Sequence, residues 1–514
     1  MKIKIIPTLS WRGDILALAG GLLVPFAFAP YKMAPIVILS MCALLLAWHE
    51  CSNKRTFFRG WLFGLAMFGF GVSWIHISMH RFGGVSEPLS IFLTVLFVAF
   101  LALFPALTGY LAKRFFAGQP KHTGIFFLLA IPALWTVVEW IRGMIFTGFP
   151  WLSLGYSQID MPLGGAAPIL GVFGLSYLLV LTSGLLIYAY TTHPQNYRKP
   201  LWAIAAIWVI PGLLSLVSWT QPEGDPITLS LVQGNVTQDK KWLPEQRLPT
   251  LNLYAKLSRE NWSSDVVIWP ETAVPAFYHI AKPFLKSLAQ EARLNGSELL
   301  VGLPIYNDRL KTYYNSMISL GRDESFYEKR HLVPFGEYLP LPDILGSLIT
   351  FFDIPMSDFS PGDPEASVVK VAGIKVGISI CYEDAFGEEI AYSLPDAKLL
   401  INTSNDAWFG DSIAPHQHLE IARMRALETG RYLVRSTNTG ISAFIDDKGD
   451  IISTSPQFET HVLTEKVQPM SGMTFYAIFT NMPIVIVSIG LLCIALWFRR
   501  KHLQVKVTPA QQID

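Results

Sequence analysis

The chain has 514 residues, 51% of them hydrophobic and 15% charged, and its mean hydropathy of +0.37 excludes an ordinary soluble protein of this length. A net charge of +1 with no clustered basic face excludes nucleic-acid binding. Of four cysteines, Cys42, Cys51 and Cys493 lie in or beside apolar runs, where a thiol behaves as a small hydrophobe, so no disulfide framework is implied.

The start, MKIKIIPTLSWRGD, is basic, but no A-x-A-type site follows the next apolar run, which predicts an uncleaved first membrane helix. A spanning helix needs about 20 mostly apolar residues. Seven candidates precede residue 220: 13–29, 33–49, 57–77, 88–111, 123–141, 163–190 and 201–219, the first two interrupted by Pro25, Pro30 and Pro35. An eighth covers 474–498 and leaves a tail, 499–514, that is expected in the cytoplasm. Lysine and arginine in the short connections collect on one side, against only Lys32, Arg81 and Arg142 on the other. Basic residues resist translocation, so both termini are expected in the cytoplasm and the segment after Trp219 outside. Between the fifth and sixth candidates, Arg142, Phe149, Trp151 and Tyr156 fall at an expected membrane interface. There Arg142 either contacts a lipid phosphate or simply sits at headgroup level.

From about 225 to 470 the long apolar runs stop. Short strands are expected at 227–236, 265–274, 298–306, 314–320, 375–381, 398–404 and 432–438, with helices such as 280–294 and 416–429 between them. Continuously apolar, β-branched strands point to sheets covered on both faces. An α/β sandwich inserted between the seven-helix region 1–219 and the last helix is therefore expected.

Within this region VVIWPETAVP places Glu271 just after a strand, behind Trp269 and Pro270. A carboxylate partly enclosed by apolar groups is suited to act as a general base, although a surface glutamate at a strand end reads the same in isolation. YEKRHLVPFGEYLP carries Lys329 and Glu337 on either side of a Pro-Phe-Gly turn. A lysine there supplies charge for an oxyanion, or is an ordinary surface cation. LGSLITFFDIPMSDF (345–359) places a run of large apolar residues in a polar region, as an arm toward lipid or as core packing. Cys381 ends a strand and precedes YEDAFGEEIAYSL, a turn into a helix whose N-terminus favours thiolate while Glu383 and Asp384 oppose it. Alone it reads equally as a buried structural cysteine. His416 and His418 are assigned to helix packing or capping, because no zinc-ligand spacing surrounds them.

Together, a glutamate after a strand, K-x-x-L-V-P-F-G-E and C-Y-E in that order resemble the Glu-Lys-Cys triad of the nitrilase superfamily. With seven helices before and one after, the whole chain resembles the bacterial apolipoprotein N-acyltransferases. RGMIFTGFPWLSLGYSQ (142–158), VQGNVTQDKKW (232–242) and INTSNDAWFGDSIAPHQHLEIARMRALETGR (401–431) extend the likeness. The resemblance implies an eight-helix transmembrane bundle with an inserted αββα nitrilase-like domain, and Glu271, Lys329 and Cys381 as base, oxyanion stabiliser and nucleophile. It further implies weight at Glu337, Tyr382, Glu383 and Trp242, the last on a gating loop, and substrate contacts at Arg142 and Trp151. The implied partners are a phospholipid acyl donor and a diacylated apolipoprotein acceptor, met by a monomer in the bacterial inner membrane with its catalytic domain in the periplasm. No metal or organic cofactor is demanded. Two rivals remain: a membrane-tethered amidase using the same triad with water as acceptor, and a transporter or receptor with an outer sensory domain. Against the latter, the expected helices hold few of the mid-membrane charges that mark substrate or proton routes, and the triad would be idle.

Overall fold

A computed structural model of the protein describes residues 11–116, 123–192, 197–321, 324–338 and 358–504. The expected arm 345–359 lies outside them except for Asp358 and Phe359. The chain forms two compact units, one within Met1–Ser73, Leu93–Val217 and Asn481–Asp514, the other within Trp74–Phe92 and Ser218–Thr480.

The first unit is helical. Helical stretches long and apolar enough to cross a membrane run over Glu87–Phe116, Ile125–Arg142, Pro162–Thr191 and Met482–Arg500. A fifth counts if Asn53–Gly71 and Ile75–Arg81 form one broken span. The eight expected spans are thus met only in part. Trp11–Leu23 and Ile36–Trp48 have 13 residues each, and at 1.5 Å per residue a single helix of that length falls short of the roughly 30 Å hydrocarbon core. Proline is the reason: Pro25 opens a short 3-10 turn directly after the first helix, and Pro35 precedes the second. Small residues let these helices approach closely. A Cβ on Gly21 would lie 2.1 Å from the Phe63 carbonyl, and one on Gly64 would lie 2.6 Å from Ala102 Cα.

Among the described residues the second unit contains fourteen strands: β1 Gln221–Pro222, β2 Ile227–Gln233, β3 Val266–Ile268, β4 Glu298–Asn307, β5 Thr312–Leu320, β6 Glu324–Glu328, β7 Val368–Val371, β8 Ile374–Ile380, β9 Leu399–Ser404, β10 Leu433–Thr437, β11 Ala443–Ile445, β12 Ile451–Thr454, β13 His461–Val467 and β14 Met470–Ser471. Two six-stranded sheets, ordered β13-β2-β3-β4-β5-β6 and β12-β11-β10-β9-β8-β7, each hold three parallel strands flanked by antiparallel ones. They face each other across a core that includes Leu231, Ile268, Leu300 and Met317 from one sheet and Val376, Ile378, Ile401 and Val434 from the other. The outer face of the first sheet buries Val267, Leu299 and Val301 against helices Pro244–Arg259 and Tyr278–Leu294. The second buries Leu400, Leu433 and Ala443 against Ala414–Thr429. The result is an αββα sandwich. Residues Trp74–Phe92 belong to this unit through Trp74, whose indole donates to Gln417 Oε1 at 3.2 Å and whose ring meets Phe409 at 4.7 Å.

Parallel strands present their C-terminal ends on one rim, where α/β sheets carry their sites. β3, β8, β9 and β10 all deliver polar residues there.

Candidate active site

Glu271 is set by a strand that ends early. β3 stops at Ile268, three residues into the expected 265–274 strand, because Pro270 cannot donate to the ladder. Thr272 takes a positive φ of 50°, and the turn presses so closely on β4 that a Cβ on Gly302 would lie 2.3 Å from the Pro270 carbonyl. Glycine at 302 is what lets the Glu271 loop lie there.

Lys329 follows β6 and is held at both ends of its backbone, its N–H donating to Asn315 O at 2.8 Å and its carbonyl accepting from Gly362 N–H at 2.8 Å. Its ammonium donates to Glu337 at 2.8 Å and lies 3.8 Å from Glu271 Oε1. Asn315 Nδ2 joins the two carboxylates, donating to Glu271 Oε1 at 2.8 Å and Glu337 Oε1 at 3.1 Å. Burial would discharge the lysine, but Glu337, and then Glu271 and Cys381, hold its pKa above the ordinary value.

Cys381 is half-buried and comes one residue after β8, at a left-handed φ of 55°. Such a strained turn at a strand end aims a side chain off the sheet rim. Burial, and then the Glu271 carboxylate, push the thiol pKa well above its ordinary 9.0, with Lys329 acting the other way. The expected help from a helix N-terminus is corrected by the geometry. Cys381–Ala385 is a five-residue 3-10 turn, too short for an appreciable dipole, and the resting thiol is protonated.

Glu383 does not face the thiol. It is buried and accepts from Ile380 N–H (2.7 Å), Arg330 N–H (2.7 Å), His331 N–H (3.0 Å) and Tyr327 O–H (2.8 Å), so it ties the Cys381 turn to the segment that carries Lys329. Tyr382 packs against Phe386 and His331, with ring centroids 5.0 and 5.8 Å away. Trp242 is half-buried at the end of the short helix Gln238–Lys241.

Arg142 and Trp151 belong to the helical unit. Arg142 is buried and donates to the carbonyls of Phe149 and Trp151 at 2.6 Å each and to Ser153 Oγ at 3.1 Å. These bonds commit the guanidinium to its own loop, and Trp151 is buried beside it.

Sequence reasoning missed the layer behind the thiol. The Cys381 carbonyl accepts from Asn402 Nδ2 and His418 Nε2, each at 3.2 Å. His418 lies between Asp384 (2.9 Å) and Asp406 (3.0 Å), and Arg435 pairs with the same carboxylates at 3.2 and 2.9 Å. Burial and Arg435 would discharge His418, but the aspartates outweigh them and raise its pKa to about 9. The available signal was polar residues at the ends of apolar strands: Asn402 closes LLIN and Arg435 interrupts YLVRSTN. Among the described residues no group of three histidine, cysteine or acidic side chains is arranged to hold a metal.

Residues 228–473 match the family model described as carbon-nitrogen hydrolase, and residues 20–185 match that described as the apolipoprotein N-acyltransferase N-terminal domain. The second unit is thus a carbon-nitrogen hydrolase domain carried with apolar helices in one chain. The chain is 46% identical to an apolipoprotein N-acyltransferase of Methylococcus capsulatus over 96% of its own length and 97% of that protein, and 43% identical to one of Nitrosomonas europaea over 94% and 96%. It belongs to the apolipoprotein N-acyltransferase family. Among solved structures, Saccharomyces cerevisiae Nit3, described as a member of the nitrilase superfamily, matches 48% of this chain and 91% of its own at 18% identity and a TM-score of 0.37.

Proposed function

We propose that the protein moves a fatty acyl chain from a membrane phospholipid to the α-amine of the diacylglyceryl-cysteine of lipoproteins, with Cys381 as the acyl carrier. The observation that carries the residue assignment is the buried Lys329 ammonium, 2.8 Å from Glu337 and 3.8 Å from Glu271, with the charges of Lys329 and Glu271 acting on the thiol that the left-handed turn at Cys381 turns off the sheet rim.

Glu271 takes the thiol proton as sulfur attacks the ester carbonyl, and the carbonyl electron pair moves to oxygen, where Lys329 stabilises it. Collapse breaks the C–O ester bond, Glu271 returns the proton to the departing lysophospholipid oxygen, and a thioester remains. The lipoprotein amine then attacks that thioester. Its proton passes through Glu271 to the Cys381 sulfur, which leaves as thiol, and an amide has formed. Glu337 and Asn315 hold Lys329 and Glu271 in place. Glu383 fixes the turn, and Tyr382 and Trp242 border the acyl path. Arg142 orders the 149–153 loop in which Trp151 sits.

Two lipid substrates explain why a water-type α/β domain is joined to apolar helices. The lysine and arginine asymmetry supports both termini in the cytoplasm and the catalytic domain in the periplasm, with the short helices completing eight passages of the inner membrane and residues 225–470 between the last two. The chain carries one nucleophile with its own base and cation, which fits a monomer.

The test is mass spectrometry of the full-length protein with phospholipid and a diacylated lipopeptide. The expected products are N-acylated peptide and an acyl adduct on Cys381, both absent in Cys381→Ala. Free fatty acid without acylated peptide makes the protein a hydrolase, and an active Cys381→Ala variant rejects the carrier role.

A further inference from the structure

Lys241 ends the helix Gln238–Lys241, one residue before Trp242, and only 2% of it is exposed. The segment that carries it is stitched to the rim of the sandwich. Val236 N–H donates to Asn438 Oδ1 at 3.0 Å, Asn438 Nδ2 to Val236 O at 2.7 Å, and Asn405 Nδ2 to Gln238 Oε1 at 2.8 Å. Asn405 and Asn438 directly follow β9 and β10, and β9 lies beside β8, whose end carries Cys381. Lys241 is therefore folded against the same rim as the thiol.

A lysine is almost never this buried without a partner. Among the described residues no hydrogen bond or ion pair reaches its ammonium, and the charge acting on it is that of Glu271. Glu271, Glu337 and Lys329 by themselves sum to −1, and Lys241 brings the site to zero. Moving a proton from sulfur to Glu271 then relocates a negative charge within a neutral site. Without Lys241 the same step takes place in a site that carries a net charge of −1 before and after, where the thiolate has only Lys329, already paired with Glu337, to face.

We propose that Lys241 is the fourth charged member of this site: its buried ammonium faces the Glu271 carboxylate and balances the negative charge that passes to sulfur once the Cys381 proton has moved. The inference rests on Cys381 as nucleophile and Glu271 as base. Lys241 acts through Glu271 and is a positioning residue. Burial lowers its pKa to about 8 against the pull of Glu271, so it is charged at neutrality. Facing this pair are Lys329 and Glu337 from the segment after β6, Cys381 after β8, and Asp406 after β9, already paired with His418 and Arg435. Asp239 and Lys240 on its own helix are exposed, as is Glu245 on the next, where Arg247 is half-buried.

The rate of Cys381 alkylation by iodoacetamide, followed against pH by peptide mass spectrometry on the full-length protein in detergent, tests this without any lipid substrate. In Lys241→Met the acid limb is expected to move up by about one pH unit, so that the rate on that limb falls about tenfold, because a carboxylate that loses a cation binds its proton more tightly. Lys241→Arg should restore both. Where the methionine variant does not fold, Lys241→Gln is read in the same way. A wild-type profile in these variants, with or without a lower melting temperature, overturns the inference and leaves Lys241 as an anchor for Trp242. Glu271→Gln separates the two readings. If it removes the acid limb while Lys241→Met does not move it, only Lys241 loses its role. If it leaves the limb in place, the base assignment falls and this inference with it.

Discussion

Two ionic clusters act on Cys381, and they are built from the same kinds of groups. One faces the thiol and holds Glu271, Glu337 and Lys329; the other grips the Cys381 carbonyl and holds Asp384, Asp406, His418 and Arg435. The second is sealed. Its aspartates and arginine side chains are 0% exposed, and two carboxylates meet two cations. The first is loose by comparison: the Glu271 and Glu337 side chains are 10% and 13% exposed, and the Lys329–Glu271 separation of 3.8 Å is longer than a hydrogen bond. Any change of charge in the sealed cluster strands its partners, whereas the carboxylates of the looser one reach solvent. On the proposed mechanism, the difference separates a cluster placed for chemistry from one that holds a strained turn still.

The comparison fails most visibly if the thiol-facing cluster turns out to be structural. Lys329→Met should lower the rate of acyl-enzyme formation by about 10²–10³-fold, the usual effect of removing one oxyanion-stabilising group, with the melting temperature little changed. A variant that unfolds but keeps its rate per folded molecule would assign Lys329 to the same class as Arg435.

The sealed cluster should reveal itself through stability against pH. The folded pKa of His418 is raised from 6.5 to about 9, so the stability it contributes is fully present below pH 6.5 and is lost as pH rises through about 9. At 1.36 kcal/mol per pKa unit this amounts to roughly 3 kcal/mol. Thermal unfolding between pH 6 and pH 10 should show that decline in the wild type and a flatter curve in His418→Gln. Equal slopes would mean that the ring is neutral and that the aspartates answer to Arg435 alone.

Asn315→Ala tests the seam of the thiol-facing cluster and should have the smallest effect. It removes the donor shared by Glu271 and Glu337, a loss of about 1 kcal/mol or somewhat more, and should slow acylation by about tenfold. An unchanged rate would show that Lys329 alone keeps the two carboxylates in register.

What could be read in advance depended on whether the signal was local. Cys381, Glu271 and Lys329 stand in short, recognisable strings, and Cys381 and Glu271 are expected at strand ends, whereas β6, the strand before Lys329, has no apolar run to announce it. The strands β2, β4, β5, β8, β9 and β10 announced themselves as apolar runs because both faces of their sheets are covered. β12 and β13 did not, because edge strands with one wet face, as in the mostly exposed Ile451–Thr454, lack that run. Asn315 and Asn402 each lie within a strand with a hydroxyl residue directly after, and nothing local tells a buried amide which partner it bonds to.

The sequence by itself determined the division into apolar helices and an α/β region and the short strings in which Cys381, Glu271 and Lys329 stand, since hydropathy and short motifs are properties of neighbours along the chain. Only the tertiary structure decided that Glu383 ties the turn instead of facing the thiol, that Arg142 is committed to its own loop, that His418 is a buried imidazolium between aspartates, and that Lys241 is folded against the rim of the site. Burial and pairing are properties of neighbours in space, and the same glutamate, arginine, histidine or lysine reads identically in sequence whether its partner is water or a carboxylate from another strand.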